Sequence, residues 1–74
     1  MEKNKKFCVV IIFKNGMKIA SKPTTKRKAK EYYMAKCLEF KANFSLYMEF
    51  EETIFRTEDI FMILFHISEE EKNQ

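Results

Sequence analysis

The sequence predicts a small α+β protein, in which an antiparallel sheet of four to five strands carries one helix on one face. Three observations support this fold class. An Asn-Gly pair at residues 15–16 follows an apolar run, a stretch of helix formers occupies residues 26–41, and three further strand-like segments lie between residues 46 and 67. The element order β-β-α-β-β-β is typical of a two-layer α+β sandwich.

The first two strands are predicted to form a hairpin. Residues 7–13 are β-branched or aromatic, and residues 17–21 can supply the return strand. Asn-Gly favours a two-residue type I′ loop, because both central positions of that turn need a positive φ and Asn and Gly tolerate it. This loop would pair Lys14 with Met17, Ile12 with Ile19, and Val10 with Ser21. One face would then carry Cys8, Val10, Ile12, Met17 and Ile19, and the other would carry Phe7, Val9, Ile11 and Phe13.

A helix is predicted from Lys26 to about Lys41. Pro23 ends the preceding strand because it has no backbone N–H, and Thr24 or Thr25 can cap the first helical turn. Residues at helical spacing form one apolar stripe on this helix, with Tyr32 beside it: Ala29, Tyr33, Cys37 and Phe40. Met34 and Leu38 form a second, smaller apolar patch, and Asn43 is suited to end the helix.

The C-terminal half is predicted to supply three strands. Residues 46–50 alternate between apolar and polar, Glu51-Glu52 forms a tight turn, and residues 53–56 return. A short capped turn at residues 57–59 leads into residues 60–67, where His66 is the only polar side chain. We expect one domain over residues 1–74, with an ordered core at about 6–67 and a frayed acidic tail at 68–74.

Two strands, residues 7–13 and 60–67, are apolar on both faces, whereas a single helix can cover only one face of the sheet. The sequence therefore predicts that Phe7, Val9, Ile11 and Phe13 face solvent. Contiguous exposed apolar surface is typical of interaction sites. We expect this face, together with Met34 and Leu38, to bind a second copy of the chain. The alternative is a monomeric inhibitor or adaptor that presents the same face to an enzyme of a host or phage.

Charge is divided along the chain: residues 1–42 carry a net charge of +9, and residues 43–74 carry −6. The predicted helix begins with several cations, which oppose the helix dipole by about 0.3–1 kcal/mol each at low salt. Such a cluster can bind phosphate, so contact with a DNA or RNA backbone is an alternative function. The candidate contact residues are Lys26, Arg27, Lys28 and Lys30, extended by Lys18 and Lys22. No helix-turn-helix, zinc-finger or RNA-binding sheet motif accompanies them.

No pattern in the sequence predicts catalysis. The chain has one Gly and therefore no Gly-rich phosphate loop, and its single His66 has no partner at a catalytic spacing. Cys8, Cys37 and His66 match no zinc-site spacing, so we expect neither a metal nor another cofactor. We also expect no membrane segment and a cytoplasmic protein with reduced thiols. A Lys-rich, Trp-free composition is typical of AT-rich bacterial or phage genomes. The sequence thus favours a non-enzymatic, homo-oligomeric binding or regulatory protein.

Overall fold

The computed structural model describes residues 5–42 and 45–68. Its elements follow the predicted order and are, in sequence, β1 (Phe7–Phe13), β2 (Lys18–Ala20), α1 (Lys26–Ala42), β3 (Tyr47–Phe50), β4 (Thr53–Arg56), a 3-10 turn (Thr57–Asp59) and β5 (Ile60–Ile67). The α+β class is confirmed. The prediction of one sheet with four to five strands is wrong, because the strands form a three-stranded sheet in the order β2-β1-β5 and a separate two-stranded hairpin, β3-β4.

The β1–β2 register differs from the predicted one by one residue. Val10 lies opposite Ala20, and Ile11 lies opposite Ile19. The cause is a three-residue loop, closed by the Phe13 N–H donating to the Met17 carbonyl oxygen at 2.8 Å. In this loop only Gly16 has a positive φ, of 97°, which matches a turn that ends in a left-handed residue. The shift moves Ile19 onto the face of β1 that carries Val9 and Ile11.

That face is the core of the protein. Val9 and Ile11 are 0% exposed and pack with Met48, Phe50, Ile60 and Ile63. The predicted apolar stripe of α1 packs against this cluster through Tyr33, Cys37 and Phe40, with Tyr32 alongside, and Ala29 is buried as well. The larger side chains of β1 are on this side, so packing the helix here removes the most apolar area from water.

A local signal fixes the start of α1 as predicted. The Thr25 Oγ1 accepts a hydrogen bond from the Lys28 backbone N–H at 3.3 Å, which caps the first turn. Thr24 instead extends the sheet edge, where its N–H and carbonyl bond to Phe7. The predicted role of Asn43 at the end of the helix and the predicted frayed tail beyond residue 68 lie outside the described residues.

The β3–β4 hairpin packs on the same side of the sheet as α1. The ring of Phe50 stacks on Tyr32 with centroids 5.4 Å apart, and Phe55 meets Phe13 edge to face at 4.9 Å. The turn between the strands has positive φ at both Glu51 (50°) and Glu52 (68°). The 3-10 turn that follows β4 was predicted as a capped turn, and it forms without a side-chain cap.

Candidate interaction surface

The first predicted interface lies in the interior. Val9 and Ile11 are fully buried, and Phe7 and Phe13 are half-buried against aromatic neighbours, Phe65 and Phe55. The prediction that this face of β1 is exposed is therefore wrong. The loop matches this arrangement: a two-residue turn would have placed Ile19 on the opposite face, whereas the three-residue loop adds it to the face under the helix.

The opposite face of the three-stranded sheet, here called the open face, carries neither α1 nor the β3–β4 hairpin. Its side chains come from alternate positions of β1, β2 and β5: Cys8, Val10, Ile12, Lys18, Ala20, Met62, Leu64 and His66. A groove of about 530 Å³ on this face is lined by Val10, Ile12, Lys18, Ile19, Ala20, Leu64 and His66. Cys8 and Val10 are nevertheless buried, so neither side of β1 is fully exposed, and the large exposed apolar side chains of this sheet lie on β5.

The thiol of Cys8 lies at one end of the open face. Its Sγ is 3.8 Å from the His66 Nε2 of the neighbouring strand. Cys8 is buried and His66 is exposed, and Cys8 and Cys37 are both reduced. Among the described residues, no group of three His, Cys, Asp or Glu side chains is arranged to hold a metal ion.

The outer edge of β5 adds to this surface. In the three-stranded sheet β5 is hydrogen-bonded to β1 alone. The strand begins with a bulge, where Met62 lies opposite Ile12 but Ile60 lies opposite Phe13. Four of its apolar side chains are exposed: Phe61 (61%), Met62 (39%), Leu64 (38%) and Ile67 (40%). Long apolar edge strands without Pro or charge readily pair with another strand.

Met34 and Leu38 are exposed on α1, as the sequence predicted. The two flanks of the helix have different neighbours. Tyr32 and Lys36 face the β3–β4 hairpin, where the Lys36 Nζ donates to the Glu49 carbonyl oxygen at 2.7 Å. Tyr33 instead faces β5, with its ring 5.7 Å from that of Phe65. Met34 lies about 100° round the helix from Tyr33, on the side away from Tyr32 and the hairpin.

The predicted phosphate-binding residues are exposed but do not form one surface. Lys26, Arg27, Lys28 and Lys30 lie in the first turns of α1. The Lys26 Nζ lies 6.0 Å from the centre of the Phe7 ring, and Arg27 pairs with Glu31 at 3.6 Å. Lys18 lines the groove on the open face, which is the side of the sheet away from α1.

Lys22 follows β2, and its backbone N–H donates to the Glu51 Oε1 at 3.3 Å. Lys18 is thus separated by the sheet from the four cations of the helix, and those four remain a candidate site.

Two tyrosines in the core layer have perturbed acidities. Burial raises the pKa of Tyr32, and the nearby Glu51 carboxylate adds to this increase. A hydrogen bond with the Cys37 side chain raises the pKa of Tyr33. Both phenols are therefore kept neutral at physiological pH, which fits a structural role.

Within residues 5–42 and 45–68, no helix has the length and apolar character needed to cross a membrane. Comparisons with protein-family models, with curated proteins and with solved structures found no match to this chain.

Proposed function

We propose that this chain is a small, non-enzymatic binding protein that acts through protein–protein contacts and assembles with copies of itself. The observation that carries the proposal is the apolar surface that remains after folding. The helix and the second hairpin both pack on one face of the three-stranded sheet, while the groove on the open face and the outer side of β5 are exposed. Monomeric proteins rarely expose apolar patches of this kind unless the patches bind a partner.

The charge distribution is compatible with self-assembly. Within β5, His66 is the only ionisable side chain, so a partner placed along this strand would meet no fixed charge. The basic residues are concentrated on α1, and acidic residues occur along β3–β4 and the 3-10 turn. We place the protein in a reducing compartment such as the cytoplasm, where reduced cysteines such as Cys8 and Cys37 are stable.

The experiment is the native mass, measured by size exclusion with light scattering at low and at moderate salt. We expect a dimer or larger assembly at both salt concentrations, because apolar contacts are not screened by salt. Leu64→Lys should dissociate it, since the new charge would be desolvated in an apolar contact.

Ile54→Lys is the matched control, because Ile54 is also an exposed apolar strand residue (68%) but lies on β4. A monomeric wild-type chain at all concentrations would contradict the proposal and favour a monomeric inhibitor or adaptor. Equal effects of the two variants would contradict the assignment to the three-stranded sheet.

Nucleic-acid binding is a second candidate, favoured by the four exposed cations at the start of α1. Within the described residues, Lys28 and Lys30 have no acidic partner. Binding to a phosphate backbone would weaken steeply with added salt. Replacing Lys26, Arg27, Lys28 and Lys30 together by Gln, and measuring retention of DNA and RNA, tests this candidate. Retention that is unchanged by the replacement, or absent in the wild-type chain, would exclude it.

A further inference from the structure

The free edge of β5 has a defined hydrogen-bonding pattern. On β1, the Val9 carbonyl accepts from the Ser21 N–H and the Phe13 N–H donates to the Met17 carbonyl, so odd-numbered residues of β1 point toward β2. The even-numbered residues therefore point toward β5, where Val10 lies opposite Leu64. It follows that the backbone groups of Ile63, Phe65 and Ile67 point away from the sheet.

These outward groups have no strand to bind within the described residues. The sheet ends at β5, and the β3–β4 hairpin lies on the other flank of α1, where Lys36 and Tyr32 contact it. The edge contains none of the features that normally prevent strand addition. It has no Pro, no Lys and no inward-pointing charge, and its bulge lies at the first residues, before Met62.

We propose, resting on the proposed self-assembly, that the partner is a second copy of this chain bound through antiparallel pairing of the two β5 strands. The pairing would form one continuous six-stranded sheet. A second copy fits this edge because an antiparallel pair of identical strands is self-complementary: a two-fold axis perpendicular to the sheet gives each outward N–H a carbonyl of the other copy.

The side chains of β5 favour one register. A two-fold axis at Leu64 pairs Ile63 with Phe65 of the second copy and Phe61 with Ile67 of the second copy. Centring the axis at Ile63 would leave the outward groups of Ile67 without a strand partner in β5, and centring it at Phe65 would leave Phe61 without one. The register at Leu64 also covers Phe61 and Ile67, two of the exposed apolar side chains of the strand.

The surroundings of the edge are consistent with this partner. Tyr33 of α1 contacts Phe65 of β5, and the next residue of the helix, Met34, is exposed and apolar. His66 would lie opposite Met62 of the second copy, so no like charges face each other. On the open face, the two grooves would meet at the paired Leu64 side chains, which gives the dimer one extended apolar surface.

Disulfide trapping tests the register directly. In the proposed pairing, the two Leu64 residues form a non-hydrogen-bonded pair with Cα atoms about 4.5 Å apart, which is within the range that a disulfide spans. Leu64→Cys should therefore cross-link to a covalent dimer under mild oxidation. Met62→Cys is the matched control, because Met62 and Leu64 are equally exposed on the same face (39% and 38%). Met62 lies opposite His66 of the second copy and should not cross-link to itself.

The wild-type chain, which retains Cys8 and Cys37, gives the background from the native thiols. Selective cross-linking of Leu64→Cys supports the inference. A dimer by mass in which Leu64→Cys forms no more covalent dimer than Met62→Cys would overturn the inference and leave the proposed self-assembly intact. A monomeric wild-type chain would overturn both.

A second variant tests the contribution of backbone hydrogen bonds to the dimer without introducing a thiol. Ile67→Pro removes an N–H that points away from β1, so the fold keeps its own hydrogen bonds. We expect the dissociation constant of the dimer to rise at least tenfold, while the far-ultraviolet circular dichroism stays that of the wild type. An unchanged dissociation constant in the folded variant would contradict pairing through this edge.

Discussion

The two hairpins of this protein form their turns in opposite ways. The β1–β2 hairpin has Asn15-Gly16, the residue pair best suited to two consecutive positive φ angles, yet only Gly16 uses one. The β3–β4 hairpin has Glu51-Glu52, two residues poorly suited to that conformation, and both have positive φ. In both hairpins, the packing of the strands therefore determines the conformation of the loop more strongly than the turn sequence does.

The reason lies in what each hairpin must bury. In β3–β4, Met48 and Phe50 alternate into the core, and Phe50 lies opposite Thr53 across the turn. Keeping Phe50 in the core requires a tight two-residue turn, whatever the residues in it. In β1–β2, the longer loop places Ile19 beside the core, and its burial offsets the loss of the two-residue turn.

The largest expected effect on stability comes from removing Phe50, the buried side chain next to the β3–β4 turn. Phe50→Ala should lower the free energy of unfolding by about 3–5 kcal/mol, because a fully buried aromatic side chain is removed and a cavity remains. Urea denaturation followed by circular dichroism measures this. Ile54→Ala on the same hairpin is the control, because its side chain is exposed and should change stability by less than about 0.5 kcal/mol. Similar losses for both variants would contradict the role given to Phe50.

Gly16→Ala should have the next largest effect. The φ of Gly16 is 97°, and an added Cβ would meet no atom within 4 Å. The cost is therefore conformational alone, and we expect a loss of about 1–2 kcal/mol in the free energy of unfolding. Thermal and urea unfolding of Gly16→Ala and of the neighbouring Asn15→Ala separate the backbone effect from the loss of the Asn15 side-chain hydrogen bond to the Met17 N–H. A neutral Gly16→Ala would show that this loop changes conformation readily.

Glu52→Gly should stabilise the protein by about 1 kcal/mol, because glycine adopts positive φ without steric cost. The φ of Glu52 is 68° and its side chain is exposed, so little else is lost. Glu49→Gly, in the extended part of the same hairpin, should instead destabilise, since glycine weakens a strand interior. The two variants are compared by their urea midpoints. If Glu52→Gly lowered stability, the comparison between the hairpins would not hold.

The smallest expected effect is at high pH. The folded-state pKa of Tyr32 is raised above its ordinary value of 10.0, chiefly by burial; a hydrogen bond with the Glu51 backbone opposes the increase, and the Glu51 carboxylate adds to it. The associated stability is complete below pH 10 and is lost as the pH rises through the folded-state pKa, because unfolding then releases the proton. Tyr32→Phe should reduce the fall in the urea midpoint between about pH 9 and about pH 11. An unchanged pH dependence would mean that Tyr32 ionises equally in both states.

Local signals predicted most of the fold. The helix from Lys26 to its end near residue 42 follows from Pro23, the Thr25 cap and an uninterrupted run of helix formers. The order of the elements along the chain and the β3–β4 turn were also predicted, because alternation and the Glu51-Glu52 boundary are local patterns. The division into two sheets was not predicted, because it depends on contacts between segments that are distant in sequence.

The identity of the exposed face was the main failure. Both faces of β1 are apolar, so the sequence of that strand does not indicate which one the helix covers. The face of β1 that is buried carries Ile19 beside it, through a loop one residue longer than predicted, and packs against Met48 and Phe50 of the β3–β4 hairpin. The exposed residues Met34 and Leu38 could be predicted, because a helical stripe can be identified from the spacing of its own residues.

The pairing of β1 with β5 also has a consequence for biosynthesis. β1 is the central strand of its sheet, and its neighbour β5 is distant in sequence, so that Cys8 contacts His66 across 58 positions. During translation, the apolar β1 emerges before β5, and its second edge stays uncovered until residues 60–67 have followed. Nonlocal contacts of this kind slow folding, and an uncovered strand edge promotes aggregation. The nascent chain is therefore vulnerable to aggregation at this edge until residue 67 has left the ribosome.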